Sequence, residues 1–491
     1  MNKLFKTGIT SVVMAGTLFA GIPVSSSVSA SVVTESKVNK TDSHYIGTLD
    51  AALINDERLL ASLIKQGKIP AKASDSAKQK ALEKYIELKG KKVEDSSGKD
   101  PIAPKAKAAE SEKHQNFKEA TKKSSGKLQG STKHPESVKE SPSPGIAKKG
   151  KLLTIMVEYS DFEHNNIKPS ETDNYYADYN TEHFEEMIFG EDGVTGPNGE
   201  NFVSQKQYYE EQSGGTYTVE GKAYGWLKVP GTAKYYGADK ASGGHDNVTP
   251  GGSKQLVKDT YAAALAAGIP LEDYDLEDPH DLDGDGNYWE PDGLVDHLQI
   301  IHAGMGQEAG GGSLFDNAIW SHRSAVFVDT DGLGNGKPGF YDYTMMPEDG
   351  ATGVFAHEYG HDLGLPDEYD TIYSGAGDAV EYWSIMSAGS WAGKVPGTEP
   401  TGFSPWAKAY LQSTLGGNWT KPTVVDFEDL KKKGTTFLLD QANSPNGQNH
   451  QAIQVNLPQK KTAINTPASG SYEYWGGQKD EIDSNMVTDV D

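Results

Sequence analysis

The sequence is 491 residues long, contains no cysteine and carries a formal net charge of −24 at pH 7. That length calls for two or three folded units, and the missing cysteines exclude both a disulfide framework and a thiolate metal site. The acidity disfavours nucleic acid and anionic membrane as partners, but it is unevenly spread. From Ser31 to Gly150, lysine and arginine outnumber the acids 24 to 16; from Lys151 onward the acids lead 54 to 20. Either the basic stretch docks on the acidic one, or it is a solvated tail.

In chain order, Lys3 and Lys6 precede an apolar run from Ile9 to Val24, and Val28-Ser29-Ala30 follows as a small-residue cleavage site. Residues 1–30 therefore read as a secretory signal peptide. The run is too short, and too interrupted by Gly and Pro, to be a membrane anchor, so a secreted, soluble protein is expected. Leu49 to Leu88 has helical spacing. Residues 91–150 are rich in Lys, Ser, Ala and Pro, and read as a cleavable linker that cannot bury enough surface to fold. Together residues 31–150 read as a prosegment and its connection. In the next unit, 151–418, Leu152–Tyr159 reads as a buried strand, and Thr181–Phe189 and Ser204–Gln212 as helices. Tyr217–Val229 reads as a strand pair and Lys254–Ala267 as a helix. Asp296–Ala303, Ile319–His322 and Gly339–Met346 read as strands. This mixed order predicts an α/β or α+β fold. Residues 419–491 suggest a β-rich, incomplete unit, with strands at Val424–Phe427, Thr436–Leu439 and Gln451–Val455.

The chemistry lies in Ala356-His357-Glu358-Tyr359-Gly360-His361. Two histidines four apart share one helix face and can bind one metal; neutral imidazoles suit zinc and leave room for a third ligand and a water. Glu358 stands where it can take a proton from that water and pass it to a leaving amine. Asp349 or Thr352 can cap this helix. Gly364 can end it with a positive φ, after which Asp367 can reach the same metal. Glu381, twenty residues after His361, is a rival third ligand, but that scheme gives Gly364 and Met386 no purpose.

The run HEYGHDLGLPD with Met386 in a small-residue turn resembles the metzincin metallopeptidases, with Asp367 where most have a third His. GVFAHEYGHDLGLPDEYD, SIMSAGSW and QYYEEQSGGTY more closely resemble the immune inhibitor A family of secreted bacterial metallopeptidases. The resemblance implies a metzincin-like catalytic domain with a twisted mixed sheet and an active-site helix, preceded by a helical prosegment. It also implies zinc, structural calcium, broad endopeptidase activity, host antibacterial proteins as substrates, and a part in virulence. Many metzincins place a Tyr two residues after the Met; Ala388 stands there here, so an oxyanion-stabilising Tyr must come from elsewhere.

A second cluster runs Asp281-Leu-Asp283-Gly-Asp285-Gly-Asn287 and on to Asp292. Oxygen donors at positions 1, 3 and 5, Gly at 6 and a carboxylate at 12 predict a calcium loop formed by Asp281, Asp283, Asp285, Asn287 and Asp292. Asp329-Thr330-Asp331-Gly332 echoes it. Arg323 reads as a structural ion-pair partner, His322 as a structural histidine, His245 as a solvated loop residue, and Tyr208-Tyr209 as core.

The reading is thus an exported zinc endopeptidase made as a zymogen. A zinc hydrolase of glycoprotein or cell-wall peptides, and an inactive metal-binding adhesion protein, are the alternatives; an intact Glu358 argues against the last. Without cysteine, the prosegment must restrain the site with a carboxylate, a His, a backbone carbonyl or bulk.

Overall fold

The computed structural model describes residues 50–91, 100–123, 148–328, 336–369, 371, 380–420, 422–427, 430, 437–440, 451–456 and four short strand segments between 460 and 489. The expected signal peptide (1–30) and Asp329–Gly332 lie outside the described residues, apart from which the elements follow in order. They are α1 (Asp56–Lys65), α2 (Asp75–Lys89), α3 (Ala103–Lys123), β1 (Lys148–Glu158), α4 (Thr181–Phe189), β2 (Val194–Thr195), β3 (Asn201–Phe202), α5 (Gln205–Gln212) and β4 (Tyr217–Lys228). Then come α6 (Ala233–Gly237), α7 (Ser253–Ala266), β5 (His297–His302), β6 (His322–Val328), β7 (Phe340–Pro347), α8 (Thr352–Asp362), α9 (Pro405–Leu415), β8 (Pro422–Asp426) and β9 (Ala452–Asn456).

Apart from Thr154, Leu152 to Val157 is apolar on both sides of the pleat, so β1 must be covered on both faces, and it sits inside a mixed five-stranded sheet. The order is β4-β1-β5-β7-β6, parallel throughout except for β6, which pairs antiparallel to β7 at the edge. Leu152 and Met156 pack with Phe184 and Met187 of α4, Tyr208 and Tyr209 of α5, Val354 and Phe355 of α8 and Tyr410 of α9. Leu153, Ile155 and Val157 pack with Leu256, Val257 and Tyr261 of α7. Each aliphatic side chain buried this way contributes roughly 1.5–3 kcal/mol.

Four expectations are corrected. The expected strand pair at Tyr217–Val229 is one long strand, β4, ending at Lys228 and running beside β1 through most of its length. The strand expected at Ile319–His322 begins only at His322: the Ile319 carbonyl accepts from the Gln307 amide, and Trp320 packs with α1 and α2. No continuous strand forms over 437–439, the described part of Thr436–Leu439. Residues 103–123 of the expected linker form α3, because Ala, Lys and Glu favour helix and one stripe finds cover. Its Phe117 lies edge-on to Trp406 and Tyr410 of α9. The remaining connection, 92–99 and 124–147, lies outside the described residues.

The N-terminal helices lie against the sheet domain. Leu59, Leu63, Ile69 and Leu82 bury Trp320 between them. Arg58 pairs with Asp173, Lys68 with Asp316 and Lys89 with Asp239, the last pair almost wholly buried. Basic residues before Lys151 thus meet acidic ones after it. Among the described residues, no helix is long and apolar enough to cross a membrane.

Candidate metal centre

Helix α8 is buried from Thr352 to Gly360. Neither expected cap serves it: Ala351 is the N-cap residue with no side-chain bond, and the Thr352 hydroxyl turns to the Val203 carbonyl at 2.7 Å. The Gly353 amide is satisfied instead by the Gly397 carbonyl, at a contact where a Cβ would stand 1.9 Å from the Ser390 carbonyl oxygen. The Tyr209 hydroxyl donates to the Ala356 carbonyl at 2.7 Å, and Tyr217 and Tyr359 share a hydrogen bond. Fully buried Met386 packs against the helix, its sulfur 2.8 Å from where a Cβ on Gly360 would be. Gly364, at φ +90°, ends the helix, and the Leu365 amide bonds back to the Gly360 carbonyl.

The two imidazoles are oriented from behind. His357 Nδ1 lies 2.6 Å from the Ile385 carbonyl and His361 Nδ1 2.8 Å from that of Leu365. A carbonyl only accepts, so Nδ1 carries a proton in each ring, and the two Nε2 atoms, 3.0 Å apart, are turned to one point. Asp367 Oδ1 completes this side, 3.2 Å from His361 Nε2 and 3.5 Å from His357 Nε2. Glu381 is exposed in a turn and does not join the group.

The fourth member was not foreseen by number. Asp50, only 3% exposed, enters from the N-terminal segment and places Oδ2 2.5 Å from His357 Nε2 and 3.7 Å from His361 Nε2. Its Oδ1 accepts from the Ala52 amide at 2.9 Å and from the Tyr369 hydroxyl at 3.0 Å. An acid in an apolar Leu-Asp-Ala-Ala-Leu run was the available signal; Tyr369, two residues after Asp367, had none. Burial alone would lower both histidines, but the Asp50 and Asp367 carboxylates hold His357 well above its ordinary range, and Asp367 holds His361 at about 10. Burial, with Asp50 next, pushes Glu358 up to about 8, and both its carboxylate oxygens are buried without a partner. Two nitrogens and two carboxylate oxygens converging in a buried site, with an orphaned carboxyl beside them, fit a divalent cation such as zinc.

The predicted calcium residues do not gather about one point. Asp281 and Asp283 group with Asp278, from upstream of the predicted loop, while Asp283 and Asp285 group with Glu290. Asn287 Nδ2 bonds to Glu290 of the second group at 2.8 Å, whereas Asp292 turns elsewhere, its Oδ1 accepting from the Leu294 amide at 2.8 Å. Without flanking helices, nothing forces the spacing of an EF-hand on this loop. His245, expected in solvent, is buried beside His322 and Trp320. Arg323 pairs with Asp342 at 2.9 Å.

A mixed sheet backed by a buried HExxH helix, with a carboxylate brought to the two imidazoles after a glycine turn and a methionine packed against the helix, defines the metallopeptidase class. The chain matches "Immune inhibitor A peptidase M6, catalytic domain" over residues 138–420, more than half its length, and belongs to that family. It is 48% identical to immune inhibitor A of Bacillus thuringiensis subsp. alesti, over 70% of this chain and 51% of that one. It is 38% identical to the pre-pro-metalloprotease PrtV of Vibrio cholerae serotype O1, over 89% of this chain and 47% of that one. An extracellular small neutral protease of Streptomyces caespitosus is 32% identical over 23% of this chain and 71% of its own. The chain spans about half the length of the first two relatives.

Proposed function

We propose that this protein is a secreted zinc endopeptidase held latent by its own N-terminal segment. The observation that carries the reading is Asp50, whose carboxylate stands between the two imidazoles and Tyr369, where a substrate carbonyl has to enter. His357, His361 and Asp367 would hold the zinc; when bound, it would polarise a water and the scissile carbonyl. Glu358, adjacent to this point and without a hydrogen-bond partner, takes the proton of the water and delivers it to the departing amine. Tyr369, which donates to Asp50 Oδ1, is placed to donate to the carbonyl oxygen once the segment has left. The substrates are proteins, and the name of the Bacillus relative points to host defence proteins among them. The "pre-pro" of the Vibrio relative supports export as a precursor.

We also propose calcium for the acidic loop, with Asp278 joining Asp281, Asp283, Asp285 and Glu290. Asp278 supports it: the residue is 2% exposed, and its Oδ1 is buried without a partner.

Asp50→Ala tests latency. The uncleaved variant should hydrolyse a casein or peptide-library substrate at a rate at least tenfold above the uncleaved wild type. Equal inactivity of the two intact chains, with equal activity after nicking between residues 91 and 151, would remove Asp50 from the restraint.

A further inference from the structure

We propose that His245, Asp246 and His322 form a second metal site, for a structural zinc ion, sharing no residue with the catalytic centre. One ligand atom from each lies within 4.8 Å of the others. The three come from two separate segments: the glycine-rich loop between α6 and α7, and the first residue of the edge strand β6. All three are more than nine-tenths buried: the His245 side chain is 8% exposed, and Asp246 and His322 are each 3% exposed as residues.

The hydrogen bonds leave this group short of partners. Asp246 Oδ2 accepts from the Trp320 amide at 3.0 Å and meets His245 Nδ1 at 2.9 Å, while Oδ1 has none. His245 Nε2 is likewise buried without a partner. His322 Nδ1 lies 2.7 Å from the Trp320 carbonyl, so it carries the proton there, and Nε2 is left as an acceptor, 3.2 Å from the Tyr343 hydroxyl. A histidine whose outer nitrogen is committed to a backbone carbonyl is held as metal ligands are held. An orphaned buried carboxylate oxygen and an orphaned imidazole nitrogen in one cluster are each destabilising if nothing fills the space. Two imidazoles and one carboxylate suit zinc and leave one position for water; calcium would call for six to eight oxygens.

The site also has work to do. The loop turns through left-handed glycine conformations at Gly243, Gly244, Gly251 and Gly252, and the Trp320 amide bond to Asp246 ties it to the segment that leads into β6. In a chain with no cysteine, a metal is the cross-link available to tie it to β6. The loop in turn receives α2: the Gly244 amide bonds to the Leu88 carbonyl at 3.0 Å, and Asp239, which pairs with Lys89, accepts from the Asp246 amide at 2.8 Å. Trp320, two residues before His322, fills the α1–α2 cluster. A metal here fixes the surface on which the N-terminal helices rest.

The test is zinc content by mass spectrometry of the full chain, dialysed against trace zinc with calcium present to occupy oxygen sites. Wild type should hold two zinc ions per chain, and His357→Ala/His361→Ala should hold one. Adding His322→Gln to that variant should leave none and lower its melting temperature by several degrees. Cobalt loaded into the double variant should show a tetrahedral ligand-field spectrum. One zinc in wild type and none in the double variant would overturn the site and leave buried water as its occupant. That outcome decides the matter even if His322→Gln does not fold. Failure of the catalytic reading is distinguishable, since there the double variant and wild type would hold the same amount.

Discussion

Asp367 reaches the imidazoles because Gly364 takes φ +90°, a conformation that costs any residue with a Cβ roughly 1 kcal/mol or more, and the chain reverses within three residues. This geometry separates Asp367 from Glu381, which spacing alone left as rivals. Asp367→Ala should therefore lower bound zinc and hydrolysis together, by about 10-fold or more, whereas Glu381→Ala should change neither measurably. Zinc lost from Glu381→Ala alone would transfer the ligand role. Tyr369 makes a separate prediction. In the nicked enzyme, Tyr369→Phe should keep its zinc and its KM but lose about 10²-fold in kcat, the usual cost of removing one donor to a developing oxyanion. If only the leak of the intact chain changes, and kcat after nicking does not, Tyr369 merely holds Asp50. Of the centre, His357, Glu358, His361 and Asp367 were legible because a helix and a turn bring them together over eleven residues. Asp50 was not, because it arrives from more than three hundred residues away and its neighbours read as an ordinary helical run.

At the scale of elements, legibility followed burial pattern. Thr181–Phe189 and α5 show in the sequence because their caps are local: Asn180 accepts from the His183 amide, and Ser204 and Gln207 form a reciprocal capping box. Helix α3 did not show, because its apolar stripe is thin and depends on Trp406 and Tyr410, which sequence places almost three hundred residues on. The acidic loop shows a related limit. Its residue types announce a cation, but which carboxylates converge depends on Asp278, fixed outside the motif by its bond to the Leu282 amide at 2.6 Å. Burial and the neighbouring Asp278 and Asp275 carboxylates push Asp292 up to about 7, so the loop carries mutual repulsion that the proposed cation would relieve. Two helix α3 lysines already bond carbonyls of this stretch, Lys105 to Leu282 and Lys113 to Pro279. Calcium should accordingly raise the melting temperature of the wild type by several degrees, measured by calorimetry with and without chelator. Asp278→Asn/Asp283→Asn should lose most of that increment. A double variant with an undiminished calcium response would show the loop to be a solvated turn.

For the whole molecule, charge and apolar contact both hold the N-terminal segment in place, and salt separates them. Arg58–Asp173 and Lys68–Asp316 are partly exposed, and exposed pairs contribute about 0.2–1 kcal/mol each and fade as the screening length falls from about 10 Å at 0.1 M toward 3 Å at 1 M. The buried Lys89–Asp239 pair and the Leu59, Leu63, Ile69, Leu82 and Trp320 cluster are shielded from ions. Two exposed pairs together supply about 1 kcal/mol, which is roughly a fivefold change in an inhibition constant. Nicking between residues 91 and 151 removes the tether, so the segment is then held by these contacts alone and its effective concentration falls with dilution. Activity of the nicked protein should thus rise on dilution, and at fixed concentration should rise about fivefold between 0.05 and 0.5 M sodium chloride. Asp173→Asn together with Asp316→Asn should abolish most of the salt response while leaving the dilution response, since the apolar cluster remains. If activity is indifferent to both salt and dilution after nicking, the segment does not act as a dissociating inhibitor, and latency must lie in the intact connection itself.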